Sequence, residues 1–127
     1  MARTDYAGVP VQEVIAFAEL MNDLELQHVE MFGDAVNAAI VTNVKAADLK
    51  GQGVSIRGLA RVIGVQPSTI RRRIAHLAEH GWLTQDETGV HFPEAARERG
   101  APKARRAMVR FAHALNRLGW GDFHPPP

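Results

Sequence analysis

The stretch LARVIGVQPSTIRRRIAHL, Leu59 to Leu77, decides the fold. Leu59, Ile63, Val65, Ile70, Ile74 and Leu77 recur at helical spacing and form an apolar skeleton. Ala60 is small, as the close crossing of two short helices requires. Gly64 can adopt the left-handed conformation of a tight turn without a Cβ penalty. Val65 then fills the space between the helices. Pro67 has a fixed φ that suits a first helical turn. The pattern predicts one helix from Arg57 to Ile63 and a second from Pro67 to about His80, meeting across Gly64.

The polar residues divide the second helix. Gln66, Ser68, Arg71 and Arg72 lie away from the stripe of Ile70, Ile74 and Leu77. A helix that enters the major groove needs one side on its own core and the other free for base edges. Glutamine is suited to adenine and arginine to guanine. Successive helix residues are about 100° apart, so Arg71 and Arg72 project outward from Ile70. One of them is expected to contact guanine edges. Ser68, Thr69 and Arg57 are expected to hold phosphates, near a helix N-terminus that favours anions. Arg73 leans towards the backbone. The candidate DNA-contacting set is therefore Arg57, Gln66, Pro67, Ser68, Thr69, Arg71, Arg72 and Arg73. A plain helical hairpin with a solvated basic face would also tolerate three arginines. It would not require Ala60, Gly64, Val65, Ile70 and Ile74 at these spacings.

After Gly81, Trp82-Leu83-Thr84 and Val90-His91-Phe92 read as two short strands around the turn Asp86 to Gly89. Trp82 is expected to pack this hairpin on the second helix. Val54-Ser55-Ile56 reads as an edge strand or a lead-in. Upstream, one helix is expected from Pro10 to about Met21, with Asn22 and Asp23 breaking or capping it. A second is expected over 24–46, weakened at Gly33. Downstream, 94–100 is a bridge, and a last helix covers 102–118. Residues 1–8 and the glycine- and proline-rich end from Gly119 to Pro127 read as frayed. The expected class is mainly α: a winged helix-turn-helix with a small β-hairpin wing and additional N- and C-terminal helices. One compact domain would comprise N-terminal helices (1–50), the winged DNA-binding region (51–93) and a C-terminal helix with its tail (94–127).

SIRGLARVIGVQPSTIRRRIAHLAEHGWL and the hairpin after it, about Val54 to Phe92, resemble the winged-helix regulators of the MarR family. The resemblance implies sequence-specific duplex binding in transcription regulation. It places Ser68, Thr69, Arg71 and Arg72 on recognition-helix positions. It also implies a homodimer built from N- and C-terminal helices, here the apolar stripes at 11–21 and 104–118, acting on a palindromic site. The wing turn Asp86-Glu87-Thr88-Gly89 departs from the pattern, being short and acidic where minor-groove wings carry cations.

Composition bounds the alternatives. The chain has 127 residues, 46% hydrophobic, with no cysteine, which excludes disulfides and thiolate metal sites. No apolar run approaches a membrane span, and the N-terminus lacks a secretory pattern, so a cytoplasmic location is expected. Net charge is +1 but polarised. Residues 1–50 carry eight acidic and three basic side chains; 51–127 carry six and twelve. Arg97, Arg99, Lys103, Arg105, Arg106 and Arg110 form a second basic cluster, either a solvated face, a flanking phosphate contact or the counterpart of the acidic N-terminal half across a dimer. His76, His80 and His91 are the nearest approach to a zinc site, but HExxH is absent. No metal or cofactor is expected. No nucleotide loop or GxSxG is present, so no enzymatic role is expected. A small-molecule effector has no sequence signature. The rival reading is a winged-helix module that binds a protein partner, antitoxin-like or phage-type, and ignores DNA.

Overall fold

A computed structural model describes residues 5–124. The fray expected at residues 1–4 and the proline tail 125–127 lie outside the described residues. In chain order the elements are β1 (Asp5–Tyr6), β2 (Val9–Pro10), α1 (Val11–Phe32), α2 (Ala35–Leu49), α3 (Ile56–Ile63), α4 (Pro67–Glu79), β3 (Thr84–Asp86), β4 (Gly89–His91) and α5 (Glu94–Arg117). This is the expected mainly helical architecture, with a helix-turn-helix, a two-stranded wing and extra helices on both sides. The chain divides into two compact units, His28–Gly100 and the pair Met1–Gln27 with Ala101–Pro127.

The His28–Gly100 unit holds the main core. Ile40 and Val44 of α2, Leu59 of α3, Ile70 and Leu77 of α4, and Leu83 and Val90 of the wing are all essentially removed from solvent. They form one contiguous apolar cluster. Burying such side chains stabilises by about 1.5–3 kcal/mol each relative to exposure. The α3–α4 crossing follows the sequence pattern. Ser55 caps α3, its Oγ accepting from the Gly58 amide at 3.0 Å. Gly64 closes α3 with φ 84°, and its amide donates to the Ala60 carbonyl at 2.9 Å.

The wing strands are shifted from the sequence expectation, to Thr84–Asp86 and Gly89–His91 around a tighter turn, and two helix boundaries differ by more. The helix does not break at Asn22-Asp23; α1 runs through to Phe32. Mid-helix Asn and Asp cost only a few tenths of a kcal/mol each, too little to stop it. The break falls at Gly33-Asp34, where Gly33 takes φ 102° and Asp34 Oδ1 accepts from the Asn37 amide at 2.8 Å. Likewise α5 begins at Glu94 rather than 102. The Pro93 carbonyl accepts from Ala96 and Arg97 at 3.0 Å each, starting the helix early. Pro102 sits inside it, at the loss of one helical hydrogen bond.

The wing is pinned to α2. Asp48 Oδ2 accepts from the Phe92 amide at 2.6 Å, and Asp48 Oδ1 lies 2.9 Å from His91 Nδ1. His91 Nε2 meets Asp86 Oδ1 at 3.1 Å and Thr88 Oγ1 at 2.6 Å. Val54 bridges Val90, adding a third backbone segment to the hairpin. The approach there is close. A Cβ on Gly89, whose φ is 128°, would stand 2.5 Å from the Val54 carbonyl oxygen. A Cβ on Gly53 would collide with the Thr88 carbonyl oxygen.

The imidazole between two carboxylates gives the wing a pH dependence. The hydrogen bond from Asp48, aided by Asp86, raises the His91 pKa above its ordinary 6.5. Asp86 is held below its ordinary 3.8, first by its hydrogen bonds from Thr88 and then by His91. The His91 contribution is complete below 6.5 and is lost as pH rises through the raised folded value. The Asp86 contribution is complete above 3.8 and is lost as pH falls through the lowered folded value. The wing is thus held most firmly between these limits. Urea titrations across neutral to mildly alkaline pH are expected to show stability falling in the parent and a flatter profile in His91→Gln. Equal slopes in the two proteins would refute the role of His91.

The other unit is built differently. β1 and β2 pair antiparallel around Ala7 (φ 53°) and Gly8 (φ 81°), a hairpin the sequence reading missed. Asp23 accepts from Arg110 Nη2 at 2.6 Å. The ring of Trp120 lies 5.7 Å from that of Phe17. Its Nε1 donates to Glu13 at 3.3 Å. The expected loose tail is tied down as far as Phe123, whose amide and carbonyl both bond the Asn116 side chain at 2.8 Å.

Candidate nucleic-acid interface

The start of α4 is an open, positively polarised end. Gln66 is the N-cap residue, with extended backbone and no capping bond from its side chain. Pro67 occupies the first turn, which holds no acidic side chain. The helix dipole there is left uncancelled by any carboxylate of that turn. Ser68 is exposed beside it, while Pro67 and Thr69 are half-buried.

Along α4 the division of faces is sharp. Ile70, Ile74 and Leu77 are buried. Arg71, Arg72 and Ala75 are exposed. Ser68 and Arg72 are one turn apart and share the stripe most nearly opposite the core; Arg71 flanks it, about 100° away. Small Ala75 leaves room for a close approach next to Arg72. Arg57, in the first turn of α3, is exposed too.

Arg73 is placed differently from its neighbours. Half-buried, it forms an ion pair with Asp34, the residue that caps α2. It therefore ties α4 to α2 and faces away from the stripe of Ser68 and Arg72. Sequence reasoning also passed over Arg61. It lies one turn after Arg57 on the same side of α3 and is exposed. The i, i+4 spacing of the two arginines was the available signal.

The wing adds no lysine or arginine: none occurs between Arg73 and Arg97. Its tip presents Glu87 and Asp86, the latter engaged by the amide and hydroxyl of Thr88 at 2.8 and 2.6 Å. A tip of this charge is repelled by phosphate. Trp82 packs half-buried against the core cluster that α4 and the wing share. Its ring meets the Phe32 ring edge-on at 5.0 Å and carries the Arg99 guanidinium 3.6 Å above it. Arg99 also donates to the His80 carbonyl at 2.8 Å. Arg99 and Arg110 of the second basic cluster are thus engaged within the protein, whereas Lys103 and Arg106 are exposed.

The rings of His76 and His80 lie tilted to each other with centroids 4.5 Å apart. His91 is committed to Asp48 and Asp86. Among the described residues, no three His, Asp or Glu side chains are grouped as a metal would need. No described helix is long and apolar enough to cross a membrane.

Residues 49–87 match the family model of the IclR helix-turn-helix domain. The match spans α3, α4 and β3, well under half of the chain. It corrects the MarR resemblance: the helix-turn-helix here matches the IclR type instead. The short apolar skeleton with its central glycine, which carried the MarR reading, lies within the matched residues. A domain of this type is a DNA-binding module of transcription regulation rather than a catalytic one. No curated protein matches the chain, and no solved structure does.

Proposed function

We propose that this protein is a cytoplasmic transcription regulator that binds duplex DNA sequence-specifically as a homodimer, with α4 in the major groove of each half-site. The observation that carries the reading is the division of α4. Ile70, Ile74 and Leu77 are buried, while Ser68, Arg71 and Arg72 stand exposed at its open N-terminal half. Gln66, Arg71 and Arg72 supply base contacts. Arg57, Arg61, Ser68, Thr69 and the first-turn backbone at Pro67 hold phosphates. Arg73 serves indirectly, by fixing the angle of α4 through Asp34. A pair of recognition helices about 34 Å apart reads two half-sites one helical turn from each other.

Selection from a random duplex library, followed by titration of the selected site at several salt concentrations, tests this. The expected outcome is a two-fold-related consensus bound at least ~10³-fold tighter than scrambled duplex. Affinity should fall steeply with salt as counterions are released. A protein that enriches no sequence and ignores duplex even at about 50 mM salt would instead be an interaction module. The acidic wing tip is the feature that favours that second reading.

A further inference from the structure

The end of α4 carries two histidines four residues apart. His76 lies in its last turn and His80 is its C-cap residue; both are exposed. One turn separates them, so their rings rise from the same face of the helix. The ring centroids are 4.5 Å apart, with the planes inclined at 51°. A metal–nitrogen bond of about 2.0–2.1 Å sets each ring centre roughly 3 Å from the ion, so two imidazoles on one ion have centres about 4.5–5 Å apart. The pair already has that separation.

The hydrogen bonding suits a metal as well. His80 Nδ1 lies 2.9 Å from the His76 carbonyl oxygen. A carbonyl only accepts, so Nδ1 carries the proton, and in the neutral ring Nε2 keeps the lone pair. Metal-binding histidines are oriented in this way, with the second ring nitrogen donating to a carbonyl or carboxylate. The carbonyl end of a helix also favours cations, and Leu77 to His80 contains no lysine or arginine. Arg99 of α5 reaches this end, but its guanidinium donates to the His80 backbone carbonyl and lies over the Trp82 ring. Exposed Glu79 supplies an opposite charge in the same turn. The absent HExxH pattern bears on metalloprotease chemistry, which needs a general base between its histidines; chelation alone does not.

We propose that His76 and His80 form a two-imidazole chelate for a late first-row divalent ion, taken up as Cu²⁺ ahead of Ni²⁺ and Zn²⁺. Among the described residues no third His, Asp or Glu joins the pair. Water completes the coordination, and the ion is exchangeable rather than a permanent part of the fold. Bound there, it clips the last turn of α4. The inference is independent of the DNA-binding reading, and its test contains no DNA.

Calorimetric titration of the full chain with Cu²⁺ in a weakly coordinating buffer, with electron paramagnetic resonance of the product, tests it. The tightest equivalent is expected to show two imidazole nitrogens on the ion. His76→Gln or His80→Gln should remove one nitrogen and raise the dissociation constant about tenfold or more, because the second ligation is no longer intramolecular. His124→Gln, at a histidine outside the pair, should bind as the parent does. Ala75→His combined with His76→Gln keeps the number of histidines but sets the pair five residues apart, and should bind like the single losses. Positions 75, 76 and 80 are all exposed, and circular dichroism checks that each variant keeps its helicity. A single nitrogen in the parent's spectrum overturns the proposal. So does a His76→Gln, His80→Gln double variant, or the respaced variant, that binds Cu²⁺ as tightly as the parent.

Discussion

Cutting Ile70 back to alanine is expected to lower the free energy of unfolding by about 2–5 kcal/mol. Ile70 is wholly buried where α2, α3, α4 and the wing share one cluster. The side chain's neighbours come from separate elements, each fixed by its own cap or turn, so the cavity cannot collapse cheaply. The urea midpoint should drop while the slope stays unchanged, since the same surface is exposed on unfolding. Val62→Ala is the natural comparison. Val62 is 70% exposed on α3, and its removal should stay within about 0.5 kcal/mol. Comparable losses at both positions would contradict the assignment of α4's inner face.

Alanine at Arg71 or Arg72 is expected to cost about 1–3 kcal/mol of cognate affinity and relax preference at one position per half-site. Both are exposed, so stability should hardly change. Arg61→Ala should behave otherwise, weakening all sequences alike and flattening the salt slope by about one unit. Arg73→Ala should affect folding more than reading. It releases Asp34, and a partly exposed pair of this kind contributes about 0–1 kcal/mol. Titrating the purified variants against cognate and scrambled duplexes separates these outcomes. Unaltered cognate preference in the Arg71→Ala, Arg72→Ala double variant would sink the recognition-helix assignment.

The helix-turn-helix was legible because its signals are local. A helical period, a glycine at the turn and a proline in the next first turn all lie within Leu59–Leu77. The flanking boundaries were harder, because several residues there carry similar stop signals. Asn22-Asp23 and Gly33-Asp34 look alike in sequence; only the second combines a positive φ with a capping bond. Pro93 and Pro102 pose the same problem for α5, and the helix begins after the first and continues through the second. Long-range partners were not legible at all. Nothing near Arg73 announces Asp34, and nothing near His91 announces Asp48. The type of helix-turn-helix was misread for a related reason. The spacing of Ala60, Gly64, Val65, Ile70 and Ile74 reports how two helices cross, not which family of regulators the crossing belongs to.

The close approach of Gly53 to Thr88 and of Gly89 to Val54 has an evolutionary consequence. Neither glycine can acquire a side chain without moving the opposite backbone, so the path of the wing is closed to drift on both sides. Glu87, by contrast, is exposed at the tip. The frame is rigid and its charge is free to vary. A substitution at Glu87 can therefore change the charge of the tip with no need to refold the wing.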